Sequence, residues 1–205
     1  AAPPAAQAST VYDNTTTDTQ VTFFFSTGPF TQLGERISLG GTDRVLTDVT
    51  VQFFNALSTA GSFDAEIQLY GTGSPVGSLL GTFAANGNAI GGQGILNVSF
   101  AGLNLQVPTD MAYVVSVSNV VGPLDLGLNA FDPPTIGSSH NQLLLVNPGT
   151  GLVEPATAPG IGNLYFLAHA APVPEPSAIL LAAMGVLALM SATRRRRPAA
   201  AAAAR

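Results

Sequence analysis

Two histidines, eight aspartates and four glutamates are the acid–base side chains that this chain could use near neutral pH. His140 lies in "GSSHNQ", a turn-like stretch, beside Ser138 and Ser139. His169 closes an apolar run just before a Pro-rich segment. A metal centre would need both imidazoles to converge with a carboxylate, and nothing in their spacing brings them together. The aspartates, at 13, 18, 43, 48, 64, 110, 125 and 132, form no D-x-D-x-D-G run, so the calcium-loop signature is missing. A structural ion held by "YDNTTTD" or "GGTD" stays open beside the plainer reading of solvated turn carboxylates. Asp64 and Glu66 project to the same side of one strand. Carboxyls about 5 Å apart would suit retaining glycoside hydrolysis, but the alternation around them marks a solvated polar face. Ser138, Ser139 and His140 are adjacent in sequence, which is not triad geometry, and no nucleophile elbow is present.

Two absences remove further chemistries. With no cysteine there is no disulfide and no thiolate ligand, and with no lysine there is no Walker phosphate loop or Schiff base. The glycines of "GNAIGGQG" precede neither a helix nor a lysine and read as a hairpin loop. The expectation is a protein with no catalytic residue, no cofactor and no metal.

The elements that would position these residues alternate with period two from Val11 to about Ala170, as strands with one buried face do. In "FDAEIQLY", Phe63, Ala65, Ile67 and Leu69 face one way, and Asp64, Glu66, Gln68 and Tyr70 the other. "VTVQFF" puts Val49, Val51 and Phe53 on one face. "ILNVSF" does the same with Leu96, Val98 and Phe100, and "AYVVSVS" with Tyr113, Val115 and Val117. "QVTFFFS", "RISL", "LLGTF", "QLLLV" and "LYFLAHA" are further strands. Clusters such as "STGPF", "NGNAIGGQG", "FDPPTIGSS" and "NPGTG" supply the turns. About nine to eleven short strands, with no amphipathic helix before Pro174, predict an all-β fold: an antiparallel β-sandwich of jelly-roll type.

Charge divides the chain. The first 173 residues carry eleven acids and two arginines, a formal charge of −9. The last 32 carry five arginines against Glu175, a charge of +4. A body this acidic excludes nucleic-acid binding through a basic face. Tyr70, on a polar face, is the one ring placed to stack on a sugar, and a single ring is a thin platform. Asn14 and Asn97 begin glycosylation sequons that matter only in a host with that machinery.

Residues 1–8 read either as the end of a secretory signal, with an A-x-A site at Ala6-Gln7-Ala8, or as an Ala/Pro linker. Residues 9–171 form the sandwich body. Residues 172–176 are a Pro-rich linker, extended because Pro172, Pro174 and Pro176 bar helix. The uncharged stretch 177–193 would make about 25 Å of helix, enough for a short transmembrane span capped by Ser177. Arg194, Arg195, Arg196 and Arg197 set topology by the positive-inside rule, leaving residues 194–205 cytoplasmic and the body across the membrane.

The order Pro174-Glu175-Pro176, apolar helix, arginine cluster closely resembles the PEP-CTERM sorting signal of Gram-negative and related environmental bacteria. The resemblance covers residues 173–197. The extension after Arg197 is longer than usual for such tails. The resemblance implies that a membrane-embedded cysteine transpeptidase, exosortase, removes the helix and passes the protein to the cell surface or an exopolysaccharide matrix. The chain would be its substrate. A permanent anchor is the competing reading of the same helix. The expected protein is exported and not an enzyme, with a structural or adhesive body. A carbohydrate-binding module and a secreted hydrolase are the alternatives.

Overall fold

The computed structural model describes residues 7–26, 31–73, 76–146, 153–157 and 163–173. Among these residues there is no helix, only thirteen strands. They are β1 (Ser9–Asn14), β2 (Asp18–Phe24), β3 (Gln32–Ser38), β4 (Val45–Asn55), β5 (Gly61–Tyr70), β6 (Leu79–Ile90), β7 (Ile95–Gln106), β8 (Asp110–Val121), β9 (Leu126–Phe131), β10 (Ser138–Val146), β11 (Val153–Thr157), β12 (Asn163–Leu164) and β13 (Phe166–Ala171). Every pairing is antiparallel.

Two sheets result. In the first, β4 is central. One edge of β4 pairs with β7. Its other edge pairs with β13 over Val45 to Val51 and with β9 over Phe53 to Asn55. β1 flanks β13, while β2 and β12 flank β9. The second sheet has the order β11-β10-β3-β8-β5-β6. The predicted all-β, two-sheet architecture is what the described residues adopt.

Alternation supplies the apolar interior. Val49, Val51 and Phe53 from β4 meet Phe63, Ala65, Ile67 and Leu69 from β5, with Phe53 and Phe63 rings 4.8 Å apart. The predicted faces of β4 and β5 hold residue by residue. On β8 the whole run from Met111 to Val115 is buried on both sides, since β3 and β5 cover its edges and other side chains its faces. Gly34 on β3 is required by a close approach, because a Cβ there would lie 1.9 Å from the carbonyl oxygen of Tyr113.

Three sequence expectations need correction. "GSSHNQ" is not a turn: Ser138 to Gln142 belong to β10, where Ser138 and Ser139 pair with Ser38 and Ile37. The first half of "NGNAIGGQG", Asn86 to Ile90, is not loop. β6 runs through it, absorbing Asn86 and Gly87 as an irregularity with Gly87 at φ +68°. "LYFLAHA" is two strands broken at Tyr165, whose N–H donates to Asn129 O at 2.8 Å.

The chain divides between Pro172 and Val173. Pro174, Glu175, Pro176, the predicted helix 177–193 and Arg194, Arg195, Arg196 and Arg197 lie outside the described residues. Among the described ones, no helix is long and apolar enough to cross a membrane.

Candidate functional site

The most unusual chemistry of the body is inside it. β3 alternates inward through Leu33, Glu35 and Ile37, so its register places a carboxyl in the core, 2% exposed. Tyr113 O–H reaches Glu35 Oε2 from β8 at 3.4 Å. The Leu164 N–H, on β12 of the opposite sheet, donates to the same oxygen at 3.1 Å. Ser139 Oγ on β10 is hydrogen-bonded to Glu35 Oε1.

The network extends outward from Ser139. Its hydroxyl is 2.6 Å from Asn163 Oδ1, and Asn163 Nδ2 donates to Asp132 Oδ1 at 2.9 Å. Asn14 on β1 donates to the carbonyls of Phe131, Asn163 and Leu164 at 3.0, 3.2 and 3.0 Å. Phe166 stacks on Tyr113 at 4.1 Å and meets the edge of Tyr12 at 5.8 Å. Tyr12 Oη and Asn14 Oδ1 are buried beside this network without a hydrogen-bond partner.

Burial dominates the electrostatics. It raises the Glu35 pKa to about 8, against the lowering effect of the Ser139, Leu164 and Tyr113 hydrogen bonds, and Asp132 adds a further small rise. Burial, then the Glu35 charge, pushes both Tyr12 and Tyr113 upward as well. Counting protons leads to the same state of Glu35. Ser139 has one hydroxyl proton and two acceptor neighbours. Asn163 Oδ1 is an amide carbonyl oxygen that can only accept, and the Nδ2 bond to Asp132 is what turns it toward Ser139. Ser139 therefore donates to Asn163, and the proton between Ser139 and Glu35 belongs to Glu35. The site is a buried neutral acid that ties the two sheets together. It has no opening to a substrate in the geometry described.

The surface residues singled out from sequence behave differently. His140 does meet a serine and an aspartate, but in the wrong order for nucleophilic catalysis. Ser38 Oγ donates to Asp110 Oδ1 and so must accept from His140 Nε2, 3.0 Å away. A triad needs the imidazole between serine and carboxylate, taking the serine proton; here His140 Nε2 is 3.9 Å from Asp110 Oδ1. His169, on the other sheet, has Nδ1 at 2.7 Å from Asp48 Oδ1. The two histidines do not converge. Asp64 accepts Gly87 N–H and Asn119 Nδ2, both at 2.7 Å, which lowers its pKa, Asn119 contributing most. Glu66 accepts from Gln68 Nε2 at 3.0 Å, and Tyr70 O–H donates to Gln68 Oε1 at 2.6 Å.

In "YDNTTTD", Asp13 accepts from Thr15 at 2.7 Å and Asp18 from the Gln20 N–H at 2.7 Å. Asp43 of "GGTD" accepts from Ser9. Among the described residues, no three His, Asp or Glu side chains are grouped as a metal would need.

Sequence reasoning missed one surface feature, a row of amides and hydroxyls across the outer face of the first sheet. Thr22 O–H donates to Asn129 Oδ1 at 2.7 Å, Asn129 Nδ2 to Gln52 Oε1 at 2.8 Å, and Gln52 Nε2 to Asn97 Oδ1 at 3.0 Å. Thr50 and Ser99 are 2.8 Å apart beside it. Phe24 and Phe54 lie next to the row, rings 6.4 Å apart, both registered with Gly127, whose bare backbone they flank.

Comparison with known proteins gives little for the body and a clear result for the tail. No curated protein matches the chain. Among solved structures, it is similar to the infectious bursal disease virus Gt strain structure, at 14% identity and TM-score 0.36 over 83% of this chain and 38% of that one. It is also similar to the VP2 subviral particle of the same virus, at 17% identity and TM-score 0.30 over 94% of this chain and 50% of that one. The chain thus spans half or less of the length of those chains. The family model of the PEP-CTERM protein-sorting motif matches residues 172–197, taking in Pro174, Glu175, Pro176 and Arg194 to Arg197. The segment that follows the last strand of the body thus carries a PEP-CTERM protein-sorting motif.

Proposed function

We propose that this chain is exported and held in the membrane as a precursor by a helix over residues 177–193. Exosortase then cuts it at Pro174-Glu175-Pro176 and delivers it to the cell surface or an exopolysaccharide matrix. There the sandwich acts as a structural or adhesive part, not as an enzyme. The observation that carries the reading is the sorting motif at 172–197, directly after the strand ending at Ala171. The motif implies export, exosortase processing and a surface destination.

Strand order supports the jelly-roll part of the reading. The eight strands β2 to β9 divide as β2-β9-β4-β7 in one sheet and β3-β8-β5-β6 in the other, two interleaved sets of four as in a double Greek key. The reversed order of Ser38, Asp110 and His140 speaks for a non-catalytic body.

The test is the intact mass of the protein recovered from the surface of its native host. The expected mass lacks everything beyond about Pro176. A mass retaining Arg194 to Arg197 returns the helix to the role of permanent anchor.

A second reading, a carbohydrate-binding module, draws on the outer face of the first sheet. Amides in a row beside Phe24 and Phe54 offer paired hydrogen bonds and an apolar surface to a sugar ring. Pull-down on host exopolysaccharide, compared between the natural chain and Gln52→Ala, separates the two.

A further inference from the structure

From Ile67 to Thr109 the sequence contains no Asp, Glu, Lys, Arg or His, 43 residues in a body of formal charge −9. The run contains both β6 and β7, the strands at the same side of the two sheets. β6 pairs only with β5, and β7 pairs only with β4. Each therefore has one row of backbone donors and acceptors that no other described strand takes up.

The two edges are not equally open. β6 is interrupted at Asn86 and Gly87, where Asp64 takes the Gly87 N–H at 2.7 Å. Such an irregularity guards an edge. β7 has no such guard over its first seven residues. Ile95, Leu96, Asn97, Val98, Ser99, Phe100 and Ala101 pair without a break with Phe54 back to Asp48. Inward, Val98 and Phe100 are locked in the core, so the strand cannot shift register. Outward, Ile95 is 59% exposed, and Asn97, Ser99 and Ala101 are exposed with it. Natural sheets protect such edges with lysine, proline, bulges or a covering element, and an uncharged, β-prone segment of six or seven residues is the kind that pairs with its own copy.

We propose that residues 95–101 of β7 are a self-association edge, pairing antiparallel with the same segment of a second copy about a two-fold axis. Charge selects this occupant. Two bodies of −9 repel through most of their surface, and this side lets them meet without opposing carboxylates; the nearest acid across the β4 ladder, Asp48, is already paired with His169. A two-fold pairing is self-complementary, so one patch serves both partners. The amide row from Thr22 ends at Asn97 on this edge, and pairing brings the partner's row into line with it. The proposal does not depend on how the chain is sorted.

The test is sedimentation of the full chain in detergent over a range of concentrations, with hydrogen exchange read over residues 95–101, alongside the double variant Asn97→Lys, Ser99→Lys. Both positions are solvent-exposed, so the variant leaves the core intact. The expected result is a dimer whose 95–101 amides gain protection as concentration rises. The lysine variant should weaken the dimer by about tenfold or more and lose that protection. A monomer at every concentration overturns the proposal. So does a dimer that exchanges these amides as fast as the monomer, or one that survives the lysines, because association then runs through another surface or the tail.

Discussion

Ser139 Oγ sits 2.6 Å from Asn163 Oδ1 while also bonded to Glu35 Oε1, so one serine proton faces two acceptors and Glu35 must carry the second. A protonated acid at this point lets a strand of each sheet, β3 and β12, share one carboxyl without burying a charge.

The first prediction is a pH-dependent stability. Glu35 moves from 4.5 in the unfolded chain to about 8 in the folded one. Between those values the folded state holds a proton that the unfolded state has lost. The contribution of this group is therefore complete below about pH 4.5, falls as pH rises toward 8, and is flat beyond. Glu35→Gln keeps a donor for Ser139 and an acceptor for the Leu164 N–H, with no charge to bury. Thermal unfolding should show the variant close to the natural protein near pH 4.5 and more stable at pH 8.5, by on the order of a few kcal/mol. Equal curves at both pH values would mean that Glu35 is not the titrating group.

The second prediction concerns Tyr12. Its ring packs on Phe166, but its hydroxyl is buried without a partner. Tyr12→Phe removes the stranded polar atom and leaves the packing, so it should be neutral or stabilise by up to ~1 kcal/mol in urea unfolding. Tyr113→Phe is the control. That hydroxyl donates to Glu35, so its loss should destabilise.

A third prediction concerns Asn55, the last residue of β4. Its Nδ2 donates to the carbonyls of Thr59 and Gly91 at 2.8 and 3.1 Å, and its Oδ1 accepts the N–H groups of Leu57 and Asp125, both at 3.2 Å. One fully used amide thereby fastens three loops at this end of the sandwich. Asn55→Ala should cost ~2–4 kcal/mol. Hydrogen exchange should speed up in all three loops together, and a change confined to one would mean that the amide does not join them.

The fourth prediction is topological. Moving an arginine across a bilayer core costs ~2.5–3.5 kcal/mol even on the lenient insertion scale. Replacing Arg194, Arg195, Arg196 and Arg197 with serine should scramble the orientation of the precursor. A reporter fused at the C-terminus and found wholly cytoplasmic after that change would remove these arginines as the orienting element.

Where one face of a strand is core and the other solvent, the sequence was easy to read. β4 and β5 alternate cleanly because each has one wet face. β9, "LGLNAF", has no such contrast. All six residues are buried, with β2 on one edge and β4 and β12 on the other, and a Gly and an Asn in the run imitate a turn. The second half of β6 is hidden for a similar reason, since Ala, Asn and Gly are weak strand formers held there by pairing with β5. Glu35 is hard to recognise as a core residue because charge beside Gly34 and Arg36 suggests solvent. The signal was available in Leu33, Glu35 and Ile37, three residues of one parity. The row through Gln52 could not be read at all, because its members come from four strands far apart in sequence. The tail is the opposite case: its signal is a linear order of residue types, so no fold was needed to see it.

The strand that ends the body is not at its margin. β13 lies between β1 and β4, hydrogen-bonded on both sides, and its last residue, Ala171, pairs with Val45. Tension applied through the sorting tail would therefore pull along the axis of an interior strand. Ladder bonds run across the strands, so such a pull loads the β1 and β4 ladders together, in shear, instead of peeling them apart one bond at a time. A load carried along the chain at this point would have to break two ladders at once before the last strand could leave its sheet.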